Sequence, residues 1–257
     1  MIGEPHDREH FALLGRLAAG VSHEIRNPLG AIFLHVELLE AEWHTPSPDS
    51  VQHITEALSE IKTNLARLED LVQDYLSLVR VSTIQRDVQP LGPVVQAWAD
   101  EWQPMANERG VTLQCETLET LGKVAFHHNM LQRALLNLVQ HALDAMPSGG
   151  TLTLAGHGTA TQAQLSIQDT GSGIPEERRQ QIFEPLYTTK PGGTGLGLYI
   201  VQEIVTAHAG QVTVHSRLGQ GTTFTITLPR PSPLPIGEDE GATRRGGEGA
   251  RGRKTSP

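Results

Sequence analysis

The chain has 257 residues, 38% hydrophobic and 19% charged, enough to bury one large core or two modest ones. Its formal net charge of −9 excludes a general nucleic-acid binder, so any phosphate site must be built locally from backbone amides, helix ends and a few side chains. A single cysteine, Cys115, excludes an internal disulfide framework and is expected as a small buried hydrophobe in a reducing compartment.

Residues 1–10 are polar and lack the apolar region of a signal peptide. No stretch approaches the roughly 18 apolar residues that span a bilayer, so a cytoplasmic chain without membrane insertion is expected. Apolar residues then recur at spacings of four and three from Leu14 through Val21, Ile25, Pro28, Ile32 and Val36 to Trp43, the seam of a long helix. Thr45-Pro46-Ser47-Pro48-Asp49 breaks it, with Asp49 as the candidate cap of the next helix. A second seam follows at Ile54, Leu58, Ile61, Leu65, Leu68, Val72, Tyr75 and Val79.

Two long helices with a short connection predict an antiparallel hairpin. One hairpin offers only a narrow seam, so a homodimer forming a four-helix bundle is expected, the alternative being a hairpin docked on its own C-terminal domain. We assign residues 8–84 to this hairpin and 85–92 to a linker.

Residues 93–106 read as a helix carrying Trp98 and Trp102, and 129–146 as a second one stopped by Pro147-Ser148-Gly149-Gly150. Segments 111–115, 151–155, 164–168, 211–215 and 222–228 follow the strand period. Strands and helices at that density predict an α/β sandwich of one sheet and one helical layer over 93–230. The Pro/Gly/Arg/Glu-rich segment 231–257 is expected to be a disordered tail.

Two glycine boxes point to a nucleotide. The strand at 164–168 runs into Asp169-Thr170-Gly171-Ser172-Gly173, where a carboxylate can accept from an exocyclic amine and glycine permits close approach or positive φ. By itself this pattern also suits a plain strand–turn–helix connection. Lys190-Pro191-Gly192-Gly193-Thr194-Gly195-Leu196-Gly197-Leu198 leads into an apolar helix, and unpaired N–H groups at such an end make an anion site. Neither the P-loop nor the Rossmann order of glycines is present. His127-His128 has no further ligand at metal-site spacing and reads as two solvated residues.

These boxes, with Phe183 to Lys190 between them, resemble the G1, F and G2 boxes of the GHKL ATPase superfamily. Leu17-Ala18-Ala19-Gly20-Val21-Ser22-His23-Glu24-Ile25-Arg26-Asn27-Pro28-Leu29 resembles the H-box of two-component histidine kinases. The short segment Phe183-Glu184-Pro185-Leu186-Tyr187-Thr188-Thr189-Lys190 is most similar to the nitrogen-regulation (NtrB-like) branch. The resemblance covers about residues 10–229. It implies a HisKA hairpin followed by a GHKL (Bergerat) α/β sandwich, autophosphorylation of His23 from ATP, and transfer to a response-regulator receiver domain.

The same resemblance implies that Glu24 orients or deprotonates His23 and that Asn27 positions water for dephosphorylation. It assigns the nucleotide to Asn137, His141, Asp169, Gly171, Gly173, Phe183, Thr188, Lys190, Gly193, Thr194, Gly195, Leu196 and Gly197. Mg²⁺, with Mn²⁺ as the alternative, falls to Asn137 and His141.

Two physical features accompany the H-box. His23 falls between seam positions Val21 and Ile25, so it is expected to face away from the bundle core as a nucleophilic imidazole. Pro28 removes the amide that would bond the Glu24 carbonyl. The pattern breaks at one place: the family's second N-box asparagine is His141 here, an imidazole where Mg²⁺ prefers oxygen. Titrating near 6.5, it is expected to weaken activity below that pH. The alternative function is therefore a weak kinase acting as a regulator-binding module or phosphatase. A clamp ATPase of the Hsp90 or MutL kind would leave the H-box unexplained.

Overall fold

The computed structural model describes residues 5–81, 84–190 and 193–231, with side chains from Ser22 onward except His23. Helix α1 (Pro5–His44) continues past the buried Pro28, and α2 (Ser50–Arg80) returns antiparallel beside it. Asp49 stands at the N-cap of α2 as expected but makes no side-chain cap bond, and the turn is held by Glu42. Glu42 accepts from the Ser50 hydroxyl and meets Nδ1 of His53 at 2.6 Å, while the Ser47 N–H donates to Ser50 Oγ at 2.6 Å.

The α2 seam separates into two lines. Ile54, Ile61, Leu68 and Tyr75 are half-buried, beside Ala57, Leu71 and Leu78, which are buried but lie outside the predicted seam. Leu58, Leu65, Val72 and Val79, one heptad apart, remain 43–53% exposed. A 3.5-residue repeat places these lines on neighbouring faces of one helix, so the hairpin covers one and leaves the other bare.

The second half of the chain is the expected α/β sandwich. Strands β1 (Asp87–Pro90) and β3 (Lys123–Phe126) form a two-stranded antiparallel ribbon. The main sheet contains β2 (Val111–Glu116), β4 (Gly150–Gly158), β5 (Gln162–Asp169), β6 (Gln211–Arg217) and β7 (Gly221–Pro229), in the order β2-β4-β5-β7-β6. β2 and β4 are parallel and the other pairs antiparallel.

Helix α3 (Leu91–Glu108) packs on β2, α4 (His128–Asp144) on β4 and β5, and α5 (Gly197–Ala207) on β6. Residues of β5 and β7 alternate between buried and mostly half-buried, as one face covered by helices requires. The core joins Phe126, Leu135, Leu138, Ile167, Ile200 and Ile226 between helices and sheet, and Leu78 of α2 belongs to the same cluster.

Three expectations change here. Segment 85–92 is ordered from Asp87, because β1 pairs with β3 and Leu91 already opens α3. His127 is the N-cap of α4, its Nδ1 accepting from the Met130 N–H at 3.4 Å, and its own N–H donates to the buried His208 at 2.9 Å. Cys115 is half-buried rather than interior, with burial pushing its thiol pKa up. Arg230 ties down the end of β7 by donating to the carbonyls of Leu121, Thr120 and Thr159. The expected tail lies, from residue 232 on, outside the described residues.

Candidate nucleotide-binding and phosphoacceptor site

A cleft of about 760 Å³ opens between α4, the two glycine boxes and helix α2, within the usual size of small-molecule sites. Asp169, Gly173, Thr188, Lys190, Gly193, Thr194, Gly195 and Gly197 line it, together with Asn137 and His141.

Asp169 ends β5 with its carboxylate buried. Its Oδ1 accepts from the N–H of Gly171 at 2.8 Å and of Thr222 at 3.2 Å, while Oδ2 has no donor among the described residues. Burial pushes the carboxyl pKa up against these two amides. The site thus holds one spare acceptor, suited to an amine.

Gly171, Phe183 and Leu196 are absent from the cleft wall and serve it from behind. A Cβ on Gly171 would stand 2.5 Å from the Ala145 carbonyl, so this glycine admits the end of α4 rather than a ligand. Phe183 packs edge-on against Phe224 at 6.3 Å, and Leu196 is fully buried. Gly173 (φ +72°) and Gly195 (φ +64°) occupy left-handed backbone that side chains rarely adopt.

The second glycine box delivers the N-terminus of α5 to the cleft without a side-chain cap, so its first N–H groups and dipole end suit an anion. Asn137 is buried on α4 and donates Nδ2 to the Gly197 carbonyl at 3.1 Å, which leaves Oδ1 as its acceptor. One turn later, Nε2 of His141 lies 3.3 Å from where a Gly197 Cβ would stand. Burial, helped by Lys190 and opposed by Asp144, pushes the His141 pKa down to about 4. The expectation of titration near 6.5 is therefore corrected: this imidazole is neutral at pH 7.

Lys190 and Arg109 each meet Asp144 at 2.7 Å. Burial pushes the Asp144 carboxyl up, but these two cations hold it below its ordinary value. A nucleotide fits this cleft. A divalent cation finds one amide oxygen and one imidazole, and no group of three His, Cys, Asp or Glu is arranged for a metal among the described residues. That is a thin set for Mg²⁺.

The sequence reading missed the wall contributed by α2. Thr63, Ala66, Arg67, Asp70 and Asp74 line the same cleft. Asp74 is buried, meets Arg133 of α4 at 2.5 Å and accepts from the Thr194 hydroxyl at 3.5 Å. Thr194 in turn accepts from the Leu196 N–H at 3.2 Å. The hairpin is thus clasped to the second glycine box. In the sequence these residues form a polar face of α2, Thr63, Arg67, Asp70 and Asp74, which reads there as an ordinary solvated helix surface. On α1, Glu24 is half-buried and Asn27 exposed, while the side chain of His23 lies outside the described residues.

Residues 13–84 match the family His Kinase A (phospho-acceptor) domain, and 127–232 match Histidine kinase-, DNA gyrase B-, and HSP90-like ATPase. The second match spans every cleft wall except α2. Signal transduction histidine-protein kinase AtoS of Escherichia coli (strain K12) is 33% identical over 222 residues, 86% of this chain and 36% of that protein. Full-length ShkA, solved in complex with AMPPNP, is 26% identical, covering 85% of this chain and 45% of that one with a TM-score of 0.61. Histidine kinase ThkA, solved with response regulator protein TrrA, shares the fold at 24% identity and TM-score 0.70, over 88% of this chain and 64% of that one. The chain spans about half or less of the length of the curated relatives it matches. A phosphoacceptor domain joined in this order to an ATPase domain makes the chain a member of the two-component sensor histidine kinase family.

Proposed function

We propose that the chain is an ATP-dependent protein histidine kinase that phosphorylates His23 and passes the phosphoryl group to a response-regulator aspartate. One observation carries this reading. The cleft that holds the glycine boxes is closed on one side by α2, the partner helix of the one that bears His23.

In this reading Asp169 accepts from the adenine amine, and the α5 N-terminus with Lys190 receives the phosphates. An imidazole nitrogen of His23 attacks the γ-phosphorus, the bond to the bridging oxygen breaks, and ADP leaves. The imidazole proton passes to a base, for which Glu24 is the candidate. Asn27, one turn on, positions water when the partner is dephosphorylated. Asn137 Oδ1 and the His141 imidazole are the groups that would hold a divalent cation, which would neutralise phosphate charge, and the imidazole would suit Mn²⁺ better than Mg²⁺.

The exposed line Leu58, Leu65, Val72 and Val79 supports a homodimer, because a second hairpin would cover it. The short segment before Lys190 favours the NtrB-like branch. No helix among the described residues is long and apolar enough to cross a membrane, and we place the phosphotransfer in the cytoplasm. A second reading, a weak kinase acting as a regulator-binding module or phosphatase, is favoured by the buried neutral His141.

The test is incubation with γ-labelled ATP. Acid-labile, alkali-stable label is expected on the wild type and none on His23→Gln, with nucleotide affinity unchanged. Label persisting on His23→Gln would remove the assignment.

A further inference from the structure

Four cations line the cleft: Arg67, Arg133, Arg178 and Lys190. Two already meet a carboxylate, Arg133 at Asp74 (2.5 Å) and Lys190 at the half-exposed Asp144 (2.7 Å), which Lys190 shares with Arg109 and can leave for a phosphate. Arg178 follows Pro175 on the short helical turn after the first glycine box, on the Asp169 side. Arg67 alone of the four combines a buried, unpartnered Nε with the lack of any ion pair among the described residues, whereas Arg178, also unpaired there, is exposed. Arg67 reaches the cleft from α2, and it has neither a hydrogen bond nor an ion pair among the described residues. Asp70, one turn on, does not pair with it, and Asp74 is already occupied by Arg133.

A half-buried guanidinium with no acceptor is costly, and a fork of five donors matches phosphate oxygens. The position is also suited to one phosphate in particular. Glu42 contacts both Ser50 and His53 across the turn, and this register brings Arg67 about level with Asn27, one helical turn from His23. The contact between Asp74 and Thr194 sets the same face of α2 beside the second glycine box. Arg67 and Asp74 are seven residues apart, so both look the same way.

We propose that Arg67 is a catalytic residue that reaches across from the hairpin to hold the terminal phosphate of the nucleotide. It neutralises the charge on the phosphoryl oxygens as the group leaves ADP for His23. The proposal rests on the kinase reading above and adds a residue to it from outside the ATPase domain.

The experiment compares titration of AMPPNP and of ADP into wild type, Arg67→Gln and Arg67→Lys, with thermal melting and autophosphorylation measured on the same proteins. Arg67→Gln should bind AMPPNP about tenfold more weakly, as loss of one charge-assisted contact implies, and ADP within about twofold. Its autophosphorylation should fall about 100-fold or more, at an unchanged melting temperature, and Arg67→Lys should recover part of both losses. Unchanged AMPPNP affinity, or an equal loss for ADP, would overturn the assignment. If wild type takes up no label, the kinase reading fails while the AMPPNP-to-ADP ratio still judges Arg67.

Discussion

Replacing His141 by Asn tests the site at its most unusual residue. In the unfolded chain this imidazole titrates near 6.5, but in the fold burial pushes it to about 4. The folded value is the lower one. Below pH 6.5 the unfolded chain therefore takes up a proton that the folded chain refuses, and stability falls until the pH reaches about 4. Across that window the difference amounts to about 3 kcal/mol. His141→Asn has nothing to titrate there. Urea unfolding of both proteins at pH 7 and at pH 4.5, without nucleotide or metal, should show the variant gaining most of that amount relative to wild type at the lower pH. Carboxylates remote from His141 titrate equally in both proteins and cancel, leaving only the neighbouring Asp144 to respond to the change. A stability difference that stays within about 0.5 kcal/mol at both pH values would refute the buried, neutral imidazole. The kinetic corollary is that only about one imidazole in a thousand is protonated at pH 7, so the autophosphorylation rate should show no break at 6.5. It should be faster with Mn²⁺ than with Mg²⁺, and His141→Asn should raise the Mg²⁺ rate. Equal rates for both proteins in both metals would show that His141 carries no kinetic penalty.

Asp74→Ala leaves Arg133 unpaired in a site where the carboxylate is only 8% exposed, and should lower the unfolding free energy by about 3 kcal/mol, read from urea melts. Asp169→Ala should weaken ATP binding about ten- to a hundredfold by removing a buried charged acceptor, measured by nucleotide titration. Deleting residues 232–257 should leave the melting temperature and ATP affinity unaltered, since Arg230 already secures the last strand to three carbonyls.

Much of the fold was legible in the sequence because its signals are local. Seam spacing announces the two long helices, alternation marks the five main strands, and each glycine box is contiguous. The family resemblance came from the same contiguous motifs. The ribbon of β1 and β3 was not legible, since each strand has four residues and each exists only through the other, 33 or more positions away.

The division runs through the site as well. Asp169 announced itself at the end of a strand, but the reasons for its neighbouring glycines differ: Gly171 makes room for Ala145, while Gly173 adopts a left-handed turn. His141 could be read as a departure from the family pattern. Its pKa could not, because desolvation depends on what the folded chain stacks over the ring. Helix α2 shows the limit most clearly. Its periodicity predicted a hairpin, whereas the pairing of Asp74 with Arg133, 59 residues apart, and the entry of Arg67 into the nucleotide cleft required the domain to dock. Periodicity is a property of one segment, but a side chain's partner is decided by which segments meet, and that only the tertiary structure decided.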